Sequence, residues 1–172
     1  MGFRLPSAIF GIASVYLLFK IGLLIFGETT GLISALILAV TINNIFVSRI
    51  GLQESCVIFF ILLTLYYFLK ADKKSKYFIY SGVSLGLGLL AKYTVGVVVP
   101  IVFTYTLLCR RNYFEMKRFW LAGLLTIIIF SAVIIYNIEM YRATGHFDFQ
   151  ISYIVGNPPA IWPVQPGKDI GT

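Results

Sequence analysis

Asn43–Leu63, NNIFVSRIGLQESCVIFFILL, sets three charged or polar side chains, Arg49, Gln53 and Glu54, between two apolar runs with barely enough chain for a loop. In a soluble domain such a loop would be ordinary. Here the flanking runs belong to a series of apolar blocks, and a bilayer core needs roughly 20 apolar helical residues per crossing. The stretch therefore reads as a tight turn between membrane helices, with its ionisable residues at the membrane boundary.

Composition agrees with this reading. The 172 residues are 59% hydrophobic, 16% aromatic and only 12% charged, with a mean hydropathy of +0.88. These values describe a polytopic membrane protein built as an all-α transmembrane helical bundle. Apolar segments are expected at Leu5–Phe26, Gly31–Val47, Ser55–Leu69, Tyr77–Ala91, Thr94–Cys109 and Phe119–Ile138. That makes about six crossings, although the pair between Tyr77 and Cys109 is short enough to form a re-entrant hairpin instead. The first block runs on without a short apolar core and small-residue cleavage site, so it reads as a retained helix. Residues 1–140 form the expected membrane domain, and residues 141–172 an extracytoplasmic polar tail whose "GNPPAIWPVQPG" holds too much Pro and Gly for a helix.

The net charge of +7 is explained by topology. "KADKKSK" and "RRNYFEMKR" carry Lys70, Lys73, Lys74, Lys76, Arg110, Arg111, Lys117 and Arg118, the positive-inside pattern of cytoplasmic loops. Parity then sets the N-terminus, "SRIGLQES", "AKYTVG" and the tail on the outer face. Basic residues that flank membrane segments, without an aromatic-basic platform, do not describe a nucleic-acid binder. Cys56 and Cys109 fall at opposite faces, too far apart for a disulfide. "GETTG" reads as a short turn with Thr29 or Thr30 capping the next helix.

Ionisable residues near membrane depth are functional candidates, because a charge at the bilayer centre costs about 2.5 to 3.5 kcal/mol on insertion scales. Arg49 and Glu54 can share an outer vestibule as a fixed cation and a carboxylate, or simply form an interfacial ion pair. Lys92 ends the Gly- and Ser-rich segment "SGVSLGLGLLAKYTVGVVVP" and reaches the same face by parity. Together with Arg4 these cations would seat a phosphate or diphosphate, whereas Lys92 alone could be a helix-end lysine reaching lipid headgroups. "GLGLLA" fits a dinucleotide fingerprint only formally, since no strand precedes it. His146, with Asp148 two residues on, is at best half a metal site.

Three stretches carry a family resemblance. "FRLPSAIFGIASVYLLFKIGLLIFGETTGLISALILAVTINNIFVSRIGLQES" resembles the Arg-Leu-Pro-Ser-Ala opening, the Phe-Gly turn and the Ser-Arg-x-x-x-x-Glu/Asp loop of GT-C class membrane glycosyltransferases. That class includes protein O-mannosyltransferases, aminoarabinose transferases and related bacterial and archaeal core-sugar transferases. "GLGLLAKYTVGVVVP" is similar to the family's Gly-rich helix ending in Lys, and "YNIEMYRATGHFDF" to the outer segment that follows.

The resemblance implies transfer of a sugar from a lipid-phosphate-linked donor to a protein, lipid or glycan acceptor at the outer face of a prokaryotic plasma membrane. It matches Arg49 and Lys92 to positions that hold the donor phosphate, and Arg4 to the Arg that opens the family's second helix beside the first outer loop. It matches Glu54 to the acidic position that orients the acceptor or its neighbours, or joins a metal or proton network. A divalent metal is the one cofactor this admits. The family's general base lies in a loop expected upstream of Met1, so the chain reads as a fragment that is inactive alone. The alternatives are a transporter or flippase-like bundle for a lipid or anionic solute, or a non-catalytic membrane subunit.

Overall fold

The structure is a computed structural model that describes residues 5–50, 53–145, 147–148 and 151–152, the side chain of Ile50 excepted. Among these residues it is all α-helical: α1 Leu5–Ile25, α2 Glu28–Val40, α3 Ile42–Ile50, α4 Glu54–Lys70, α5 Tyr77–Ala91, α6 Val98–Cys109 and α7 Lys117–Thr144. Short 3-10 turns at Tyr93–Val97 and Arg111–Glu115 lead into α6 and out of it. Arg4, His146 and the "GNPPAIWPVQPG" tail lie outside the described residues.

The distribution of side chains is that of a protein solvated by lipid. Ile9, Ile12, Leu36 and Ile127 are 60%, 73%, 63% and 62% exposed, whereas Ser14, Ser55, Ser84 and Thr106 are buried. Small and polar groups fill helix interfaces when the surroundings are as apolar as leucine. Each buried hydroxyl then needs an internal partner. Ser14, Ser84 and Thr106 donate to the carbonyls of Phe10, Tyr80 and Val102, one turn earlier on their own helices.

By length and apolar character two helices, α1 and α7, are able to cross a membrane, and the bent α2–α3 pair would make a third. The apolar run expected over Gly31–Val47 is thus broken. Its two parts meet at 57°, and Thr41 between them is extended at ψ 120°. The polar residues of "TINN" make the break tolerable. Thr41 Oγ1 donates to the Ile37 carbonyl and Asn44 Nδ2 to that of Leu38, so carbonyls released at the helix end are not left bare. The α1–α2 turn also differs from the capped turn expected. Gly27, at φ +100°, is the N-cap with no side-chain hydrogen bond, and Thr29 and Thr30 lie within the first turn of α2.

Residues 1–130 and 131–172 form two compact units. In the first, Ser81 Oγ of α5 donates to the Thr64 carbonyl of α4, and Thr126 Oγ1 of α7 donates to the Gly82 carbonyl of α5. Gly82 is required there, because a Cβ would collide with the Ala122 carbonyl of α7. Phe68, Phe78 and Tyr113 form the adjoining aromatic core, with the Phe78 and Tyr113 rings 4.9 Å apart. In the second unit, the Asp148 N–H donates to Asn137 Oδ1, and the Tyr141 and Phe147 rings stack at 4.7 Å.

The two basic loops lie at one end of the first unit. Arg110 donates to Asp72 at 2.8 Å, Tyr113 Oη to the same carboxylate at 3.0 Å, and Arg118 to Ser75 Oγ at 2.7 Å. α4 and α5 therefore run antiparallel away from these contacts. Their far ends carry Glu54 and Lys92.

Candidate functional site

Lys92 is the last residue before α5 gives way to the 3-10 turn. Its own N–H donates to the Gly88 carbonyl, while its carbonyl accepts from Val95 N–H, so the backbone is held from both sides. This fixes the origin of a long side chain that would otherwise sample many rotamers. Its Nζ donates to Glu54 Oε1 at 2.8 Å, with the two side chains 25% and 42% exposed.

Glu54 is the first residue of α4, where the helix macrodipole favours negative charge. It stands ahead of the apolar run that begins at Ser55, outside the membrane-spanning segment. The hydrogen bond donated by Lys92, and then one from its own backbone N–H, hold its carboxyl below the ordinary carboxylate range. Next to it, Ser55 is buried, and its Oγ has no hydrogen-bond partner among the described residues.

Arg49 occupies the last turn of α3 and is exposed. It lines an open groove of about 300 Å³ with Ala8, Gly11, Ile12, Asn44 and Ser48. Ser48 packs directly on Gly11 of α1, and its hydroxyl too is buried and unpartnered among the described residues. No ion pair joins Arg49 to Glu54 there. The structure thus brings together two of the four residues singled out from the sequence, Lys92 and Glu54. It sets Arg49 in a neighbouring stretch of chain with no ion pair among the described residues, and Arg4 falls outside them.

Chemically, the arrangement offers one cation already oriented by an anion and another without a carboxylate partner among the described residues. An incoming phosphate could take a charge-assisted contact from Lys92 without the ammonium having to be gathered from solution. Among the described residues no group of three or more His, Cys, Asp or Glu is placed to hold a metal ion.

The Asp72–Arg110–Tyr113 cluster at the opposite end escaped the sequence reading, which took both loops only as markers of topology. Asp72 was visible as the single acid within "KADKKSK". Its partners lie 38 and 41 residues away and nothing local names them. Burial, and then the hydrogen bond to Asp72, push the Tyr113 phenol above its ordinary range, so it remains a neutral donor.

The sequence model described as dolichyl-phosphate-mannose-protein mannosyltransferase matches residues 1–136. No curated protein and no solved structure matches the chain.

Proposed function

The chain belongs to the dolichyl-phosphate-mannose-protein mannosyltransferase family, matched over residues 1–136, and on that premise we propose that Lys92 and Arg49 hold the phosphate of a lipid-linked sugar donor. The family is one of membrane glycosyltransferases. The finer reading is transfer from a polyprenyl-phosphate sugar to a protein, lipid or glycan acceptor at the outer face of a prokaryotic plasma membrane. Arg4 joins the phosphate seat in this reading. The single observation that supports it best is the Lys92–Glu54 pair, a cation built into a helix end at the pole opposite the basic loops.

The chemistry sets what these residues must do. An acceptor hydroxyl attacks the anomeric carbon, the bond from that carbon to the phosphate oxygen breaks, and the electron pair departs on the lipid phosphate. The hydroxyl proton passes to a base. Cations placed where negative charge develops stabilise such a transition state without reorganising during the reaction. Lys92 and Arg49 supply that charge. Glu54 is a positioning residue: its carboxylate aims the ammonium and, being held ionised by it, is a weak proton acceptor.

The test is transfer from radiolabelled polyprenyl-phosphate sugar to membrane acceptors. In transfer-competent membranes containing the protein, Lys92→Ala and Arg49→Ala should each lower turnover about 10- to 100-fold, the effect of losing a hydrogen bond to a charged group. Lys92→Ala/Glu54→Gln, which leaves no stranded carboxylate, should be no better than Lys92→Ala. Turnover unaffected by all three variants would overturn the phosphate role.

A further inference from the structure

A cavity of about 180 Å³ lies between α4, α5, α6 and α7, running from the pole of the basic loops toward the middle of the helices, and neither Lys92 nor Glu54 lines it. Its lining is almost wholly apolar, and its positions on α5 run from Phe78 to Leu85, about 10 Å along the helix axis. Two of its hydroxyls, those of Ser81 and Thr126, are already spent on backbone carbonyls. One wall is open: Val99, Phe103 and Trp120 are 48%, 53% and 62% exposed on the surface that meets the bilayer.

The rim of this cavity is cationic. Trp120 and Phe119, which line it, follow directly on Lys117 and Arg118 in the first turn of α7. Arg118 is tethered by its hydrogen bond to Ser75, and Lys117 is exposed with no ion pair among the described residues. The acids at this pole are Asp72, which Arg110 and Tyr113 occupy, Glu28 at the start of α2, and Glu115 in the preceding turn. Apolar depth under an excess of positive charge is the complement of an anionic phospholipid.

We infer that one anionic phospholipid, from the leaflet on the basic-loop side, docks an acyl chain in this cavity and seats its phosphate on Lys117 and Arg118. The site is independent of the donor-phosphate reading and lies at the other pole of the bundle. A zwitterionic lipid can fill the same cavity but gains less from the rim, since each Lys or Arg near a membrane surface favours anionic lipid about fivefold.

Trp120 reports occupancy directly once the other tryptophan is removed by Trp162→Phe. The protein is reconstituted in phosphatidylcholine vesicles carrying brominated phosphatidylglycerol or, at the same mole fraction, brominated phosphatidylcholine. The anionic lipid should quench Trp120 the more strongly. Lys117→Gln/Arg118→Gln should abolish that preference, and Lys117→Gln, which keeps the Ser75 tether, should weaken it about fivefold. Lys73→Gln removes the same charge as Lys117→Gln, on the side of the pole lined by Leu24, Ile25 and Asp72, and should leave the preference intact. A Cβ at Gly123 meets no atom within 4 Å, so Gly123→Leu can fill the cavity without a clash and should lower quenching by both lipids. Equal quenching by the two lipids, an equal loss in the Lys73→Gln control, or indifference to Gly123→Leu would each overturn the site.

Discussion

With its carboxylate taken up by the Lys92 ammonium at 2.8 Å, Glu54 ties the start of α4 to the end of α5. The carboxyl is held below its ordinary value of 4.5, so the folded state binds its proton less readily than the unfolded chain. Its stabilising contribution is therefore complete above pH 4.5 and is lost as pH falls through the lower, folded value. Partial exposure keeps that contribution to about 1 kcal/mol or less. The melting temperature of the detergent-solubilised protein should exceed that of Glu54→Gln by a constant amount above pH 4.5, and the gap should close on acidification. A gap that widens in acid would contradict the assignment. Lys92 and Glu54 were both legible in the sequence as ionisable residues at apolar borders. Their direct pairing was not, because 38 residues separate them and spacing does not rank one boundary cation above another.

At the scale of elements, apolar length located the helices well where the chain is uniformly apolar. α1 and α5 cover the expected Leu5–Phe26 and Tyr77–Ala91 almost residue for residue. It failed at Thr41, where two side chains bond to nearby carbonyls and let the helix break inside an otherwise apolar run. Hydropathy does not register that chemistry. α7 likewise outruns the expected Ile138 and continues to Thr144, since "EMYRAT" is helix-compatible although it is polar.

The α5–α7 contact gives a sharper check. Gly82→Leu must push α7 away from the Ala122 carbonyl and should cost about 1 to 3 kcal/mol, the range for overpacking. Gly123→Ala, in open space, should change stability by no more than about 0.5 kcal/mol. Thermal unfolding in detergent measures both, and equal effects would contradict the close approach.

The first unit, residues 1–130, has two chemically distinct poles. Asp72–Arg110 and Ser75–Arg118 hold the basic loops together at one, and Glu54–Lys92 closes the helix ends at the other. Cysteines introduced at Lys74 and Thr94, both exposed, should be labelled by a membrane-impermeant maleimide from opposite sides in a Cys56→Ala/Cys109→Ala background. The outer-face reading expects Thr94→Cys to react in intact cells and Lys74→Cys only after permeabilisation. Labelling of both from one side would dissolve the two-pole description and, with it, the separation between donor seat and lipid cavity.

The central claim, that the Lys92 pole receives a lipid phosphate, is tested most directly by equilibrium binding of a radiolabelled polyprenyl-phosphate sugar to the purified 172-residue chain in nanodiscs. Wild-type protein should bind saturably. Lys92→Ala and Arg49→Ala should each weaken binding about 10- to 100-fold, and Lys117→Gln/Arg118→Gln at the other pole should leave it unchanged. Binding that survives loss of both Lys92 and Arg49, or that depends instead on Lys117 and Arg118, would contradict the account.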